Sequence, residues 1–235
     1  MNFKTLIHER IQSCKSICGM TQGLVNQGWR GRPLVIQATT PAHFDAIRSI
    51  RFEIYHQEKK ILGVDELFDD YDSVSTHWLV ICDGEPAACV RITDAAQVPL
   101  ELLKHHPELS AALPAGLHCI ELSRFLARKK YRGYRVTFNL FKKAHDEMTR
   151  LGADAVIISC PRPMIAYYQR LLGFRLLTNE RLKHYLFKDL YHYAMIFRKD
   201  GWIDLSPAGK FTWAMILGPF KFLLKNLKFE RREGV

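Results

Sequence analysis

The chain predicts an α/β fold: one mixed β-sheet flanked by helices on both faces, with a helical extension at each end. Three observations predict it. Strand-like and helix-like segments alternate along most of the 235 residues. A strand–helix–strand unit from His118 to Cys160 needs a right-handed parallel crossover, while Asp83-Gly84 joins two strands as an antiparallel hairpin. The composition is 48% hydrophobic, enough for a core, yet no run of about 18 apolar residues is present, so no ordinary membrane-spanning helix is expected.

The elements follow in order. Residues 1–33 form an amphipathic extension in which Phe3, Leu6, Ile7, Ile11, Cys14, Ile17 and Cys18 share a helical face before a glycine-rich loop. The main domain covers residues 34–198. A strand begins at Leu34. Thr40-Pro41 then fits a helix start, and the helix runs to about Lys60 with Phe44, Ile47, Ile50, Ile54 and Tyr55 inward. An acidic loop spans Asp65 to Asp72. Thr76–Cys82 and Ala87–Thr93 are the hairpin strands, and a short helix lies near Leu100 to His105. His118–Ala127 is a strand, Lys129–Gly133 a basic turn, and Tyr134–Leu151 a helix ended by Gly152. Ala155–Cys160 is an apolar strand. Pro163–Leu172 is a helix closed by Gly173, and strands start at Phe174 and Tyr191. Residues 199–235 form a basic, apolar extension.

Lys and Arg number 34 against 24 Asp and Glu, a formal charge of +10. Such a balance fits an acidic partner: nucleic acid, anionic lipid or an acidic carrier protein. The basic residues are dispersed and no nucleic-acid recognition motif is present, so no nucleic-acid partner is expected. The six cysteines form no CxxC pair and no metal-ligand cluster. They read as reduced, mostly buried thiols in a cytosolic protein. The first residues lack a signal-peptide pattern, which gives the same expectation of a cytoplasmic location.

Three constellations carry chemistry. On the strand from His118, strict alternation puts Glu121, Ser123 and Phe125 on one face and Leu122, Arg124 and Leu126 on the other. Glu121 and Ser123 can then line a cleft together, with the Glu121 carboxylate able to accept a proton from an amine. Arg51, Asp69, Asp72, Arg91 and Arg124 supply three cations and two anions for one buried network able to bind an amino acid headgroup. Lys129, Lys130, Arg132 and Arg135 crowd the start of the Tyr134 helix, whose free N–H groups also attract anions.

The element order, the basic turn Lys130-Tyr131-Arg132-Gly133-Tyr134-Arg135 and the segment from Tyr167 and Tyr168 to Gly173 and Phe174 resemble the GNAT acyltransferase fold. A narrower resemblance lies in Arg51, Phe68-Asp69-Asp70-Tyr71-Asp72, Arg91 and Glu121-Leu122-Ser123-Arg124-Phe125. In that order they resemble the acyl-homoserine-lactone synthases, and the long-chain N-acyl amino acid synthases look similar over the same span. The resemblance implies Glu121 and Ser123 as catalytic groups and Tyr168 as the acid for the leaving thiolate. It also implies Arg51, Asp69, Asp72, Arg91 and Arg124 around the acceptor.

The resemblance implies an N-acyltransferase. It would move a fatty acyl group from a phosphopantetheine thioester to the amine of an amino acid or related small molecule. Phe125, Lys129, Lys130, Arg132 and Arg135 would hold the donor. Arg135 stands where the family turn has a second glycine, which favours acyl-carrier protein over coenzyme A. No permanently bound cofactor and no metal are expected. The alternatives are a lactone synthase using S-adenosylmethionine and a non-catalytic acyl- or carrier-binding module. Lys4, Arg10 and Lys15 at one end, and Lys225, Lys228, Arg231 and Arg232 at the other, flank apolar residues, the pattern of peripheral contact with an anionic membrane.

Overall fold

The computed structural model describes residues 33–60, 67–185, 190–201 and 204–218. The expected N-terminal helix, Cys14, Cys18 and the basic tail beyond Gly218 lie outside the described residues.

Strand β1 (Leu34–Gln37) leads into helix α1 (Pro41–Phe52). Thr40 caps α1 by accepting the His43 N–H at 3.3 Å, and Pro41 occupies the first turn, where its missing N–H costs nothing. The helix then widens into a π-helical turn, Glu53–Glu58, of a kind frequent beside functional sites. The acidic segment, expected as loop, contains a one-turn helix, α2 (Asp70–Ser73). Asp69 accepts the Tyr71 N–H and Asp72 accepts the Asp69 N–H, so the two carboxylates build the turn that carries them.

Strands β2 (Thr76–Cys82) and β3 (Glu85–Asp94) form the hairpin, with Asp83 and Gly84 both at positive φ as a tight two-residue turn requires. Helix α3 (Glu101–His105) precedes β4 (Cys119–Ala127). A 3₁₀ turn, Lys129–Tyr131, leads to α4 (Tyr134–Leu151), then β5 (Ala155–Pro161) and α5 (Ile165–Leu172). The strand expected from Phe174 is only β6 (Arg175–Leu176), and a further short strand, β7 (Leu182–Lys183), precedes β8 (Tyr191–Arg198). Helix α6 (Pro207–Leu217) ends the described chain.

The sheet order is β1-β2-β3-β4-β5-β8-β6, with β7 also pairing β8. Among the described residues only β4 and β5 are parallel, as the crossover through α4 requires. One sheet face packs Val90, Ile92, Leu122, Val156 and Met195 under α4, α5 and α6. The other packs Leu79, Cys89 and Leu126 under α1, and Cys119, Ile157 and Ala194 under α3.

Two irregularities in β4 create the site. Its ladder with β5 stops at Leu122↔Ile158, although β4 runs on to Ala127 beside β3 and β5 to Pro161 beside β8. The sheet therefore splays. Beside β3, Cys89↔Leu126 and Arg91↔Ser123 are separated by two steps on β3 but three on β4. The extra residue is a β-bulge, and Arg124 adopts φ 51°. The expected strict alternation therefore fails here. Leu122 faces α4, yet beyond the bulge Phe125 packs on the α4 side and Leu126 on the α1 side. Phe125 thus does not share the face of Glu121, and Arg124 does.

Gly152 and Gly173 end α4 and α5 with φ of 68° and 75°. A Cβ on Gly152 would meet nothing within 4 Å, whereas one on Gly173 would collide with the Leu205 side chain. Gly152→Ala should cost ~1 kcal/mol of backbone strain, and Gly173→Ala clearly more. Equal losses in thermal unfolding would show that the Leu205 contact yields freely.

Candidate active site

Where β4 leaves β5, the α1 side of the sheet carries a charged cluster. Arg91 on β3 is fully buried. Its Nε donates to Ser123 Oγ at 2.9 Å, Nη1 lies 2.5 Å from Asp69 and 3.3 Å from Asp72, and Nη2 bonds Glu101. Arg51, on the last turn of α1, grips Asp72 with two bonds of 2.9 and 2.8 Å and donates to the Leu67 carbonyl. Arg124 donates to Asp69 at 2.5 Å and lies 3.3 Å from Glu101. The five residues expected to form one network therefore do so.

That expectation left three cations against two anions. The structure supplies the third anion, Glu101 at the start of α3, 3% exposed. The unbalanced charge count was the signal for it. Tyr185 was also missed. Its hydroxyl receives a bond from Arg124 at 3.1 Å and donates to Glu101, while its ring stacks on His105 at 3.8 Å. Nothing near Tyr185 in sequence pointed to this, because the contact spans distant segments.

Three arginines and three carboxylates balance, and Glu121 is a fourth carboxylate. It is 4% exposed and makes no ion pair among the described residues; its Oε2 accepts the Leu102 N–H of α3 at 3.0 Å. Burial pushes its carboxyl up to about 7, and the nearby Glu101 charge adds to the rise. For Asp72, burial acts in the same upward direction, but the bonds and charge of Arg51 outweigh it and hold the group at about 2. Two kinds of carboxylate thus sit side by side, one locked ionised and one poised to change charge near neutrality.

Tyr168 lies across the splay, on the α4 face. Its ring meets Phe141, Tyr167 and Phe174 edge-on, and burial keeps its hydroxyl protonated far above neutral pH. Phe125 stacks on Phe141 at 4.9 Å. Of the basic turn, Lys130 pairs with Glu85, and Arg132 with Glu58 and the Ala127 carbonyl. Lys129, in the 3₁₀ turn, and Arg135, in the first turn of α4, are exposed. Beyond the splay, His192 Nδ1 lies 3.3 Å from Ser159 Oγ, and burial lowers His192 to about 4 and His184 to about 3. Cys82, Cys89, Cys119 and Cys160 are buried free thiols. Among the described residues no helix is long and apolar enough to cross a membrane.

A sheet splayed between β4 and β5, with helix α4 following β4, is the GNAT fold. Residues 46–195 match the family described as N-acyl amino acid synthase FeeM, and the chain belongs to that family. Its fold is similar to that of FeeM from uncultured soil microbes: TM-score 0.63, 16% identity, 77% of this chain and 98% of that one. The acyl-homoserine-lactone synthase LasI gives TM-score 0.56 at 19% identity, covering 72% of this chain and 91% of LasI. A putative N-acetyltransferase from Lactobacillus plantarum gives 0.54 at 18%, covering 72% and 99%. No protein of curated function matches the chain in sequence.

Removing Arg91 leaves Asp69 and Glu101 short of counter-charge. Arg91→Met should therefore cost ~3–5 kcal/mol in urea unfolding; a loss below ~1 kcal/mol would mean the carboxylates find other partners. The cluster also sets an acid limit. Asp72 titrates lower in the folded state (about 2) than the ordinary aspartate value of 3.8, so its stabilisation, ~2 kcal/mol, is complete above pH ~4 and is lost as pH falls through ~2. Asp72→Asn should flatten that part of the stability profile.

Proposed function

We propose that this acyltransferase moves a fatty acyl group from an acyl-carrier-protein thioester to the amine of an amino acid or related small molecule. The observation that carries this reading is Glu121: a buried carboxylate, beside the splay, left over by a charge-balanced arginine cluster. An ammonium cannot attack a carbonyl, so a base must take its proton first. Glu121 takes that proton, and the amine nitrogen attacks the thioester carbon. The C–S bond breaks, the thiolate leaves with a proton from Tyr168, and the amide forms as the nitrogen sheds its second proton, which returns through solvent to the Tyr168 oxygen. Arg91 can only donate, so its bond to Ser123 Oγ leaves the Ser123 hydroxyl hydrogen free for a substrate oxygen. The ionised groups around Arg124 face the acceptor headgroup.

Glu121→Gln keeps the shape and removes the base. Turnover should fall at least ~10-fold, within the ~10²–10⁴ range of general-base catalysis. The wild-type rate should climb with pH and lose its slope near 7 as Glu121 ionises, and the variant should lack this break. A folded Glu121→Gln protein with unchanged rate and the same break would assign Glu121 to holding α3.

The donor reading rests on exposed positive charge at the start of α4. Lys129 and Arg135 are both exposed and are the pair to change. Lys129→Ala with Arg135→Ala should raise the KM for acyl-carrier protein several-fold, and wild-type KM should rise with salt. A small uncharged thioester should be affected far less. Equal effects on both donors would withdraw the carrier and favour coenzyme A or a free thioester.

A further inference from the structure

Helix α6 is fixed to the core along one side. Ser206 caps it and also donates to the Arg170 carbonyl at 2.9 Å, and Gly209 lies so close to α5 that a Cβ there would stand 3.3 Å from that same oxygen. Thr212, Trp213, Ile216 and Leu217 are buried, and the Trp213 indole N–H donates to the Leu172 carbonyl at 3.1 Å. These contacts fix the rotation of the helix about its axis, and with it the residues that face outward.

The outward side is apolar as well. At about 3.6 residues per turn, Pro207, Ala208, Phe211, Ala214 and Met215 fall on the arc opposite the buried residues. Phe211 is 70% and Met215 55% exposed, one turn apart. Lys210, exposed at the edge of this arc, is the one charged residue of the helix. An ordinary surface helix turns charged and polar side chains outward. Helix α6 turns out a phenylalanine and a methionine instead.

The charge of the chain says what covers this face. At +10, two copies repel each other, whereas an anionic surface is attracted. A stable protein interface also needs about 1,000 Å² or more, and two side chains on one short helix supply little of that. A bilayer takes up single apolar side chains and adds the attraction of its anionic headgroups. The sequence after Gly218 has the same chemistry: Lys221, Lys225, Lys228, Arg231 and Arg232 against Glu230 and Glu233, with Phe220 and Phe222 between. Helix α6 itself has 11 residues, a length of ~16 Å against a hydrocarbon thickness of ~30 Å, so the contact lies on a bilayer rather than across it.

We propose that the outward face of α6 is a membrane contact, in which Phe211 and Met215 enter the headgroup boundary of an anionic bilayer and Lys210, with the basic residues after Gly218, holds its lipid headgroups. This goes beyond the acyl-transfer reading and is tested without it. Each cation near an anionic surface strengthens binding about 5-fold, and each large apolar side chain taken out of water about 10-fold or more.

The test floats the full chain with vesicles of phosphatidylcholine, with and without added phosphatidylglycerol. Wild type should float with the anionic vesicles and far less with the neutral ones, and rising salt should weaken the binding. Phe211→Ser with Met215→Ser removes both anchors from an exposed face. Thermal unfolding should stay the same while the partition coefficient onto anionic vesicles falls ~10-fold or more. Phe211→Trp keeps the anchor and reports its entry: brominated lipid chains should quench its fluorescence more than they quench the wild type. A wild type that floats with neither vesicle overturns the inference. A folded serine variant that partitions like the wild type also overturns it, and places any contact elsewhere on the basic chain. So does a wild-type dimer in light scattering that the serine variant abolishes, with no vesicle binding, which gives the face to a second copy.

Discussion

The burial of one guanidinium governs this half of the molecule. Arg91 sits in the middle of β3 with no exposed surface, and its polar edge is satisfied from three directions: α2 through Asp69 and Asp72, α3 through Glu101, and β4 through Ser123. A charge so placed is tolerated only when its partners are ionised and aimed at it. The acidic turn is therefore folded to serve two purposes. Asp69 and Asp72 cap each other's backbone and still present oxygens to Arg91, Arg51 and Arg124. Buried ion clusters add little net stability against apolar replacements. What this one fixes is position: three separate segments are docked at one point on the sheet.

Fixing them at neutral net charge has a chemical consequence. A surplus cation would hold Glu121 ionised and weakly basic; a surplus anion would push it further toward the neutral acid. With Asp69, Asp72 and Glu101 matched to Arg51, Arg91 and Arg124, the balance leaves burial and the adjacent Glu101 charge to dominate, and the group comes to rest near 7. The Leu102 N–H limits the rise by favouring the ionised form. The cluster is thus the electrostatic setting for the proposed base rather than a second catalytic apparatus.

How much of this was legible in the sequence follows from the range over which each feature is encoded. The hairpin strand Thr76–Cys82 and the helix Tyr134–Leu151 agree with the observed bounds because Asp83-Gly84 and Gly152 are local signals. The five-residue network was legible because charged residues amid apolar strands and helices must meet. Glu101 was legible only as a missing charge. Tyr185 was not legible, since its partners lie 84 and 61 residues away. The bulge was not legible either: Glu121 to Ala127 reads as a regular strand, and the positive φ of Arg124 answers to demands made by β3 and α2 rather than to any turn-forming residue.

That bulge is what allows one strand to serve two incompatible environments. Up to Ser123, odd positions face the charged side and even ones the apolar side. Beyond it the assignment reverses, so Phe125 reaches Phe141 under α4 while Leu126 covers α1. Without the extra residue, strict alternation would aim Arg124 toward the layer that holds Leu122, Phe141 and Trp213, away from Asp69 and Glu101. Asp69 would lose one of its two cations, and Phe125 would be turned into the ion cluster. The inserted residue therefore keeps Arg124 with its carboxylates on one side of the sheet and Phe125 with Phe141 on the other. The proposed transfer uses that separation, because a polar acceptor and a hydrocarbon donor must meet at one carbonyl while occupying opposite kinds of surface.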